Sequence, residues 1–191
     1  MARQVLPISE LSNDARLVYK AVNQERSDLA CALILTAYLE QCLGTLIASR
    51  LIKSALPEKL LNPSRGILGT FQSRIDLSYC LGLITKGIHQ NLCSIAAIRN
   101  TFAHSHLDLR FEDPRIQRLS EELTLPSFKT ASDSPDASEK LNARLADFIS
   151  TPRMRFTFVT VIMANRLMLT SLSTRHLPKK TRGWEEELSA A

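Results

Sequence analysis

The chain has 191 residues, 45% of them hydrophobic and 23% charged, with a formal net charge of +5. That length gives one domain with its own core, and Leu-, Ala- and Ile-rich runs with only six glycines argue against a sheet protein and predict an all-α, single-domain bundle of about six to seven helices. No uncharged apolar run reaches the ~18 residues of a membrane span, and the first residues lack the basic-then-apolar pattern of a signal peptide, so a soluble, cytoplasmic protein without membrane contact is expected.

Residues 10–23 carry Leu11, Ala15, Val18, Tyr19 and Val22 on one stripe of a surface helix. Ser27 is a cap for the next helix, read over residues 28–55 and apolar almost all round from Leu29 to Leu43, which places it at the centre of the bundle. Its apolar stretch contains a single carboxylate, Glu40. Burying that group unpaired would cost several kcal/mol, so a structural ion pair with Arg74 is expected, with Arg99 as the other candidate partner.

Pro57, Asn62, Pro63 and Gly66 break the helical pattern, and LLNPSRGILG reads as a turn. Thr70 caps a helix over residues 71–84, with Arg74 and Asp76 as its charged positions, and Gly87 is read as closing it. Residues 89–103 form the next helix, with Leu92, Ile95, Ile98 and Phe102 as its apolar bulk. Residues 115–122 form a short helix. The Ser-, Asp- and Pro-rich segment 127–138 reads as a mobile surface loop. Helical spacing resumes over 137–149 through Leu141, Leu145 and Phe148. Thr151-Pro152 then starts a core helix over residues 153–174. Residues 1–176 are read as the helical domain, and 177–191 as a basic then acidic tail.

Cys31, Cys42, Cys80 and Cys93 lie in apolar helical pattern without a C-x-x-C pairing, which predicts buried reduced thiols and no zinc or redox motif. Basic residues gather at Arg153, Arg155, Arg166 and Arg175 and again at Lys179, Lys180 and Arg182. A solvated tail is the reading of this charge, ahead of a nucleic-acid patch.

The segment IAAIRNTFAHSH, residues 95–106, sets Arg99, Asn100, His104 and His106 at the end of an apolar helical run. Positions 100 and 104 share a helical face, whereas 99 and 104 lie about 140° apart. A composite site therefore requires a homodimer in which the arginine of one copy meets the histidine of the other. Such a site suits metal-free RNA cleavage, with His104 taking the ribose 2′-hydroxyl proton, Arg99 stabilising phosphorane charge and Asn100 orienting. The competing reading is structural, because basic side chains at a helix C-terminus also satisfy its exposed carbonyls. His104 and His106 without a third ligand make a weak metal site, and no cofactor is implied. His89 and His176 read as isolated surface or cap residues. Neither a phosphate loop, a nucleophile elbow nor a helix-turn-helix is present.

The stretch GILGTFQSRIDLSYCLGLI, followed by IAAIRNTFAHS and FEDPRI, resembles the mannitol operon repressor family over about residues 29–116, the Gly-x-Leu-Gly segment being its more specific part. The resemblance implies an all-helical bacterial regulator that lacks a conventional DNA-binding motif and acts through a protein partner. RNTFAH also resembles the Arg-x4-6-His motif of HEPN-domain ribonucleases, by which Arg99 and His104 would be catalytic and Asn100 supporting. The expectation is a dimeric regulator working by protein contacts. The alternative is a metal-independent HEPN-like ribonuclease with RNA as its partner.

Overall fold

A computed structural model of the chain describes residues 8–106, 108–125 and 135–176, all of them in helices and their connections. The elements are α1 (Ile8–Gln24), α2 (Asp28–Arg50), α3 (Leu56–Leu60), α4 (Phe71–Cys80), α5 (Lys86–Ala103), α6 (Pro114–Glu121), α7 (Pro135–Phe148) and α8 (Pro152–Ser173). The fold is all-α, with eight helices among the described residues. Ser27, Thr70, Thr85, Asp113 and Thr151 each turn a side-chain oxygen back to a first-turn backbone N–H, so five starts are fixed by local chemistry.

α2 is the central element, packed against α8, α1, α5 and α4. Leu35, Leu39, Leu43 and Leu46 are all but fully buried, with Cys31 and Cys42 beside them. Phe102, Phe111 and Phe156 then stack in series, with centroids 5.0 and 5.2 Å apart, and join α5 to α8 through the 104–113 connection. Two helices, α2 and α8, are long and apolar enough to cross a membrane by length and composition when a charge or two is allowed within the span, as at Glu40 in α2; 67% of the α2 window is buried inside the bundle.

Several boundaries also differ from the sequence reading. α2 stops at Arg50, where the Leu51 N–H closes onto Ile47 and Arg50 donates to the Arg175 carbonyl at 3.3 Å. The short α3, with Pro57 in its first turn, occupies chain that the sequence left as a break. α4 ends at Cys80 because Gly82 adopts φ +66, the left-handed conformation that closes a helix, and the Leu83 N–H returns to Ser78. Gly87 closes nothing: it lies in the first turn of α5, which Thr85 caps. α7 begins at Pro135 and so takes in the last residues of the expected 127–138 loop, the rest of which lies outside the described residues, as does the 177–191 tail.

The most deeply buried charge belongs to Arg74, which is 2% exposed. Its guanidinium donates to three carbonyl oxygens, of Leu68 at 2.8 Å, Leu61 at 2.7 Å and Glu40 at 3.1 Å. The Glu40 carboxylate stands 3.7 Å away and its side chain keeps 25% exposure, so the buried ion is the arginine rather than the carboxylate that the sequence singled out. Arg99 is engaged elsewhere, on Asn100. Burial pushes the Arg74 guanidinium down from its ordinary value while Glu40 acts in the opposite direction.

The LLNPSRGILG turn is shaped around this side chain. Asn62 Oδ1 accepts from the Ser64 and Arg65 N–H groups, and the Leu68 N–H returns to Leu60 at 2.9 Å. A Cβ on Gly66 would strike the Leu60 carbonyl, and one on Gly69 would strike that of Asn62. Gly44 leaves room for the guanidinium on α2, since a Cβ there would sit 3.3 Å from Nη1. A second polar tie lies at the far end of α2. Asp28 accepts from Arg153 on α8 and from the Phe111 N–H at 2.9 Å, and Arg153 also donates to the Glu25 and Arg26 carbonyls. Arg155 donates to the Glu121 and Leu123 carbonyls, so two of the clustered basic residues serve packing.

Two predictions follow from this packing. Replacing Arg74 by Ala leaves three carbonyls without their donor and should lower stability by at least about 3 kcal/mol, whereas Glu40→Ala should cost about 1 kcal/mol or less; chemical denaturation of both variants checks the contrast. Burial pushes the Cys42 thiol up to about 12 from an ordinary 9.0, and Cys31, Tyr19 and Tyr38 rise as well. The native state thus holds these protons above the pH at which the unfolded chain releases them. Stability should be complete below pH 9 and fall progressively toward pH 12; the urea midpoint followed over that range reads it, with Cys42→Ala showing a shallower decline.

Candidate functional site

α5 delivers the Arg/His segment. Ile95, Ile98 and Phe102 face the core and are buried, so the intervening positions turn outward. Arg99 is half-buried, and Asn100, His104 and His106 are exposed. His104 is the C-cap, its backbone N–H bonded to the Asn100 carbonyl at 3.0 Å. The Arg99 guanidinium donates to the Asn100 side chain, also at 3.0 Å.

His104 opens onto a depression of about 400 Å³ lined also by Thr101, Ser105, Leu109, Asp113 and Arg115. An adjoining hollow of about 400 Å³ shares Thr101 and Arg115 and adds Pro114, Arg118 and Leu119. Within one chain, then, the guanidinium that shares this depression with His104 is that of Arg115, at the start of α6, together with the Asp113 carboxylate, and neither Arg99 nor Asn100 lines it. Arg115 escaped the sequence reading because it reaches this place through a turn between two helices.

The chain just past α6 is tied to α5 by the buried Asn91, whose amide donates to the Thr124 carbonyl and accepts from both the backbone and the hydroxyl of Thr124.

A second constellation lies between α4 and α5. His89 Nε2 is 3.1 Å from Asp76 Oδ1, its ring packs against Tyr79 with centroids 4.8 Å apart, and Cys93 Sγ lies 3.9 Å from each ring nitrogen. Gln72 donates to Asp76 and to the Cys93 sulfur. His89 is therefore not isolated. The signal in the sequence was present but faint: His89 and Cys93 are one turn apart on one helix, and Gln72 and Asp76 one turn apart on the other. His176 Nδ1 donates to the Leu51 carbonyl oxygen, 2.8 Å away, and acts as an end tie. The cysteines also differ from the uniform burial expected, with Cys31 and Cys42 buried, Cys93 half-buried and Cys80 exposed. No group of three or more side chains placed to hold a metal ion occurs among the described residues.

A third feature is apolar. Leu17, Val18, Ile34, Ala37 and Tyr38, edged by Asp14 and Gln41, line a groove of about 420 Å³ between α1 and α2. Leu17 is 67% exposed. The Gln41 side-chain oxygen is buried there with no hydrogen-bond partner among the described residues.

The sequence matches no protein-family model and no curated protein. Among solved structures, a chain in the X-ray structure of the MtlR–HPr complex from Escherichia coli is similar, with a TM-score of 0.60 at 18% sequence identity over 81% of this chain and 98% of that chain. At that identity the two share the fold.

Proposed function

We propose that this protein is a transcriptional regulator of the mannitol-repressor type that works by binding another protein rather than by entering a DNA groove. The observation that carries this reading is the shared fold with a chain crystallised as part of a protein–protein complex. The surface agrees with it. Leu17 and its neighbours offer an exposed apolar groove of the kind interfaces cover, and the unpartnered Gln41 oxygen there is an acceptor that a docked chain can satisfy. Two of the clustered arginines, by contrast, spend their donors on backbone carbonyls inside the protein and give nothing to a phosphate backbone.

The enzyme reading asks for Arg99 and His104 to act on one scissile phosphate. In one chain Arg99 is turned to Asn100 and does not line the depression that His104 lines, so that chemistry would need a second copy across a two-fold axis. The protein-contact reading needs no such assembly.

HPr, the partner named in the similar structure, is the probe to use first. Titration calorimetry of the full chain with HPr should show saturable binding, and size-exclusion chromatography should show co-elution. Absence of both would overturn the HPr-type partner. A parallel incubation with labelled RNA in EDTA should leave the RNA intact. Cleavage by the wild type that disappears in both His104→Ala and Arg99→Ala would replace the regulator with a ribonuclease.

A further inference from the structure

We infer that Cys93 is a hydroperoxide-reactive thiol, with His89 as its base and Asp76 holding the imidazole in place. The arrangement joins a nucleophile, a base and an orienting carboxylate from two helices, apart from the Arg/His segment and independent of the regulatory reading. Cys93 Sγ stands 3.9 Å from both ring nitrogens, and with Asp76 Oδ1 on Nε2 at 3.1 Å, Nδ1 is the nitrogen left to take the thiol proton. Tyr79 packs against the ring at a tilt of 44° and Gln72 donates to the carboxylate at 2.9 Å, so the base is oriented by both a carboxylate and a neighbouring ring. The same Gln72 amide points a donor at Sγ from 3.7 Å, and His89 approaches it at 3.9 Å. Both groups thus stand beside the sulfur, and the thiolate is the form that attacks.

Access fits the role. Cys93 is half-buried and the flanking Asp76 and His89 side chains are 54% and 26% exposed, so a small oxidant can reach the sulfur while a bulky one is hindered. A half-buried sulfur is reached most readily by a small oxidant, and the reactant is assigned on that ground as a hydroperoxide. In the step itself the thiol proton passes to His89 and the sulfur electron pair attacks one peroxide oxygen. The S–O bond forms as the O–O bond breaks, the sulfur is oxidised to a sulfenic acid, and the departing hydroxide takes the proton from His89 and leaves as water.

Cys80 provides an internal reference, because it is exposed and has no hydrogen-bond partner among the described residues. The full chain is treated with substoichiometric hydrogen peroxide, trapped with a dimedone-type reagent and read by peptide mass spectrometry. Cys93 should be labelled at least about fivefold faster than Cys80 despite its lower exposure, and His89→Ala should bring its rate to that of Cys80 or below. Asp76→Asn, a near-isosteric change at a surface position, should slow Cys93 and leave Cys80 unchanged, and it keeps the test decisive if His89→Ala alters the fold. Labelling of Cys80 at an equal or greater rate, or a Cys93 rate untouched by Asp76→Asn, overturns the assignment.

Discussion

The guanidinium of Arg74 is the group on which the arrangement of the first half of the chain depends. A cation at 2% exposure is tolerable only where its donors are met, and Arg74 meets them with carbonyls from three places along the chain, Glu40, Leu61 and Leu68. The path of the chain from α2 to α4 is thus specified by one side chain. Carbonyl oxygens accept without charge, so the pocket can close around the arginine and leave Glu40 at the edge of solvent. The glycines of the GILG segment belong to the same device. Gly66 and Gly69 have no space for a Cβ because the turn must fold back on its own backbone to present the Leu68 and Leu61 carbonyls.

That device explains what was and was not legible in the sequence. Helix starts were readable at Ser27, Thr70 and Thr151, which act on their own first turns and carry their signal locally. The ends were less so. Gly82 and Gly87 are both plausible terminators, and only the left-handed φ of Gly82 decides between them. The Glu40–Arg74 neighbourhood was found from the rarity of charge in an apolar run, but which ion is buried depends on where the carbonyls of a turn fall, and the sequence does not carry that information.

The same distinction holds for the candidate sites. Spacing along α5 suggested Arg99, Asn100 and His104, and it also suggested that Arg99 and His104 diverge around the helix axis. What spacing could not supply is the neighbour across the turn, Arg115, or the pairing of α4 with α5 that brings Asp76 to His89. Both depend on how the helices pack, with Asn91 tied to Thr124 on one side and Ile75 and Leu92 buried on the other. The family resemblance reached the fold from the GILG segment and its surroundings, and that segment is one whose residues are dictated by close backbone packing.

The pairing of α2 with α8 is the most extensive in the bundle, and it is fastened at both ends: by Asp28 with Arg153, and by Arg50 and Leu51 with Arg175 and His176. These partners lie far apart in the chain, so the apolar circumference of α2 is synthesised early and waits for its cover until α8 leaves the ribosome. During that interval the most hydrophobic segment of the protein is without its principal neighbour. The topology therefore makes the nascent chain, rather than the finished bundle, the form most dependent on chaperone protection.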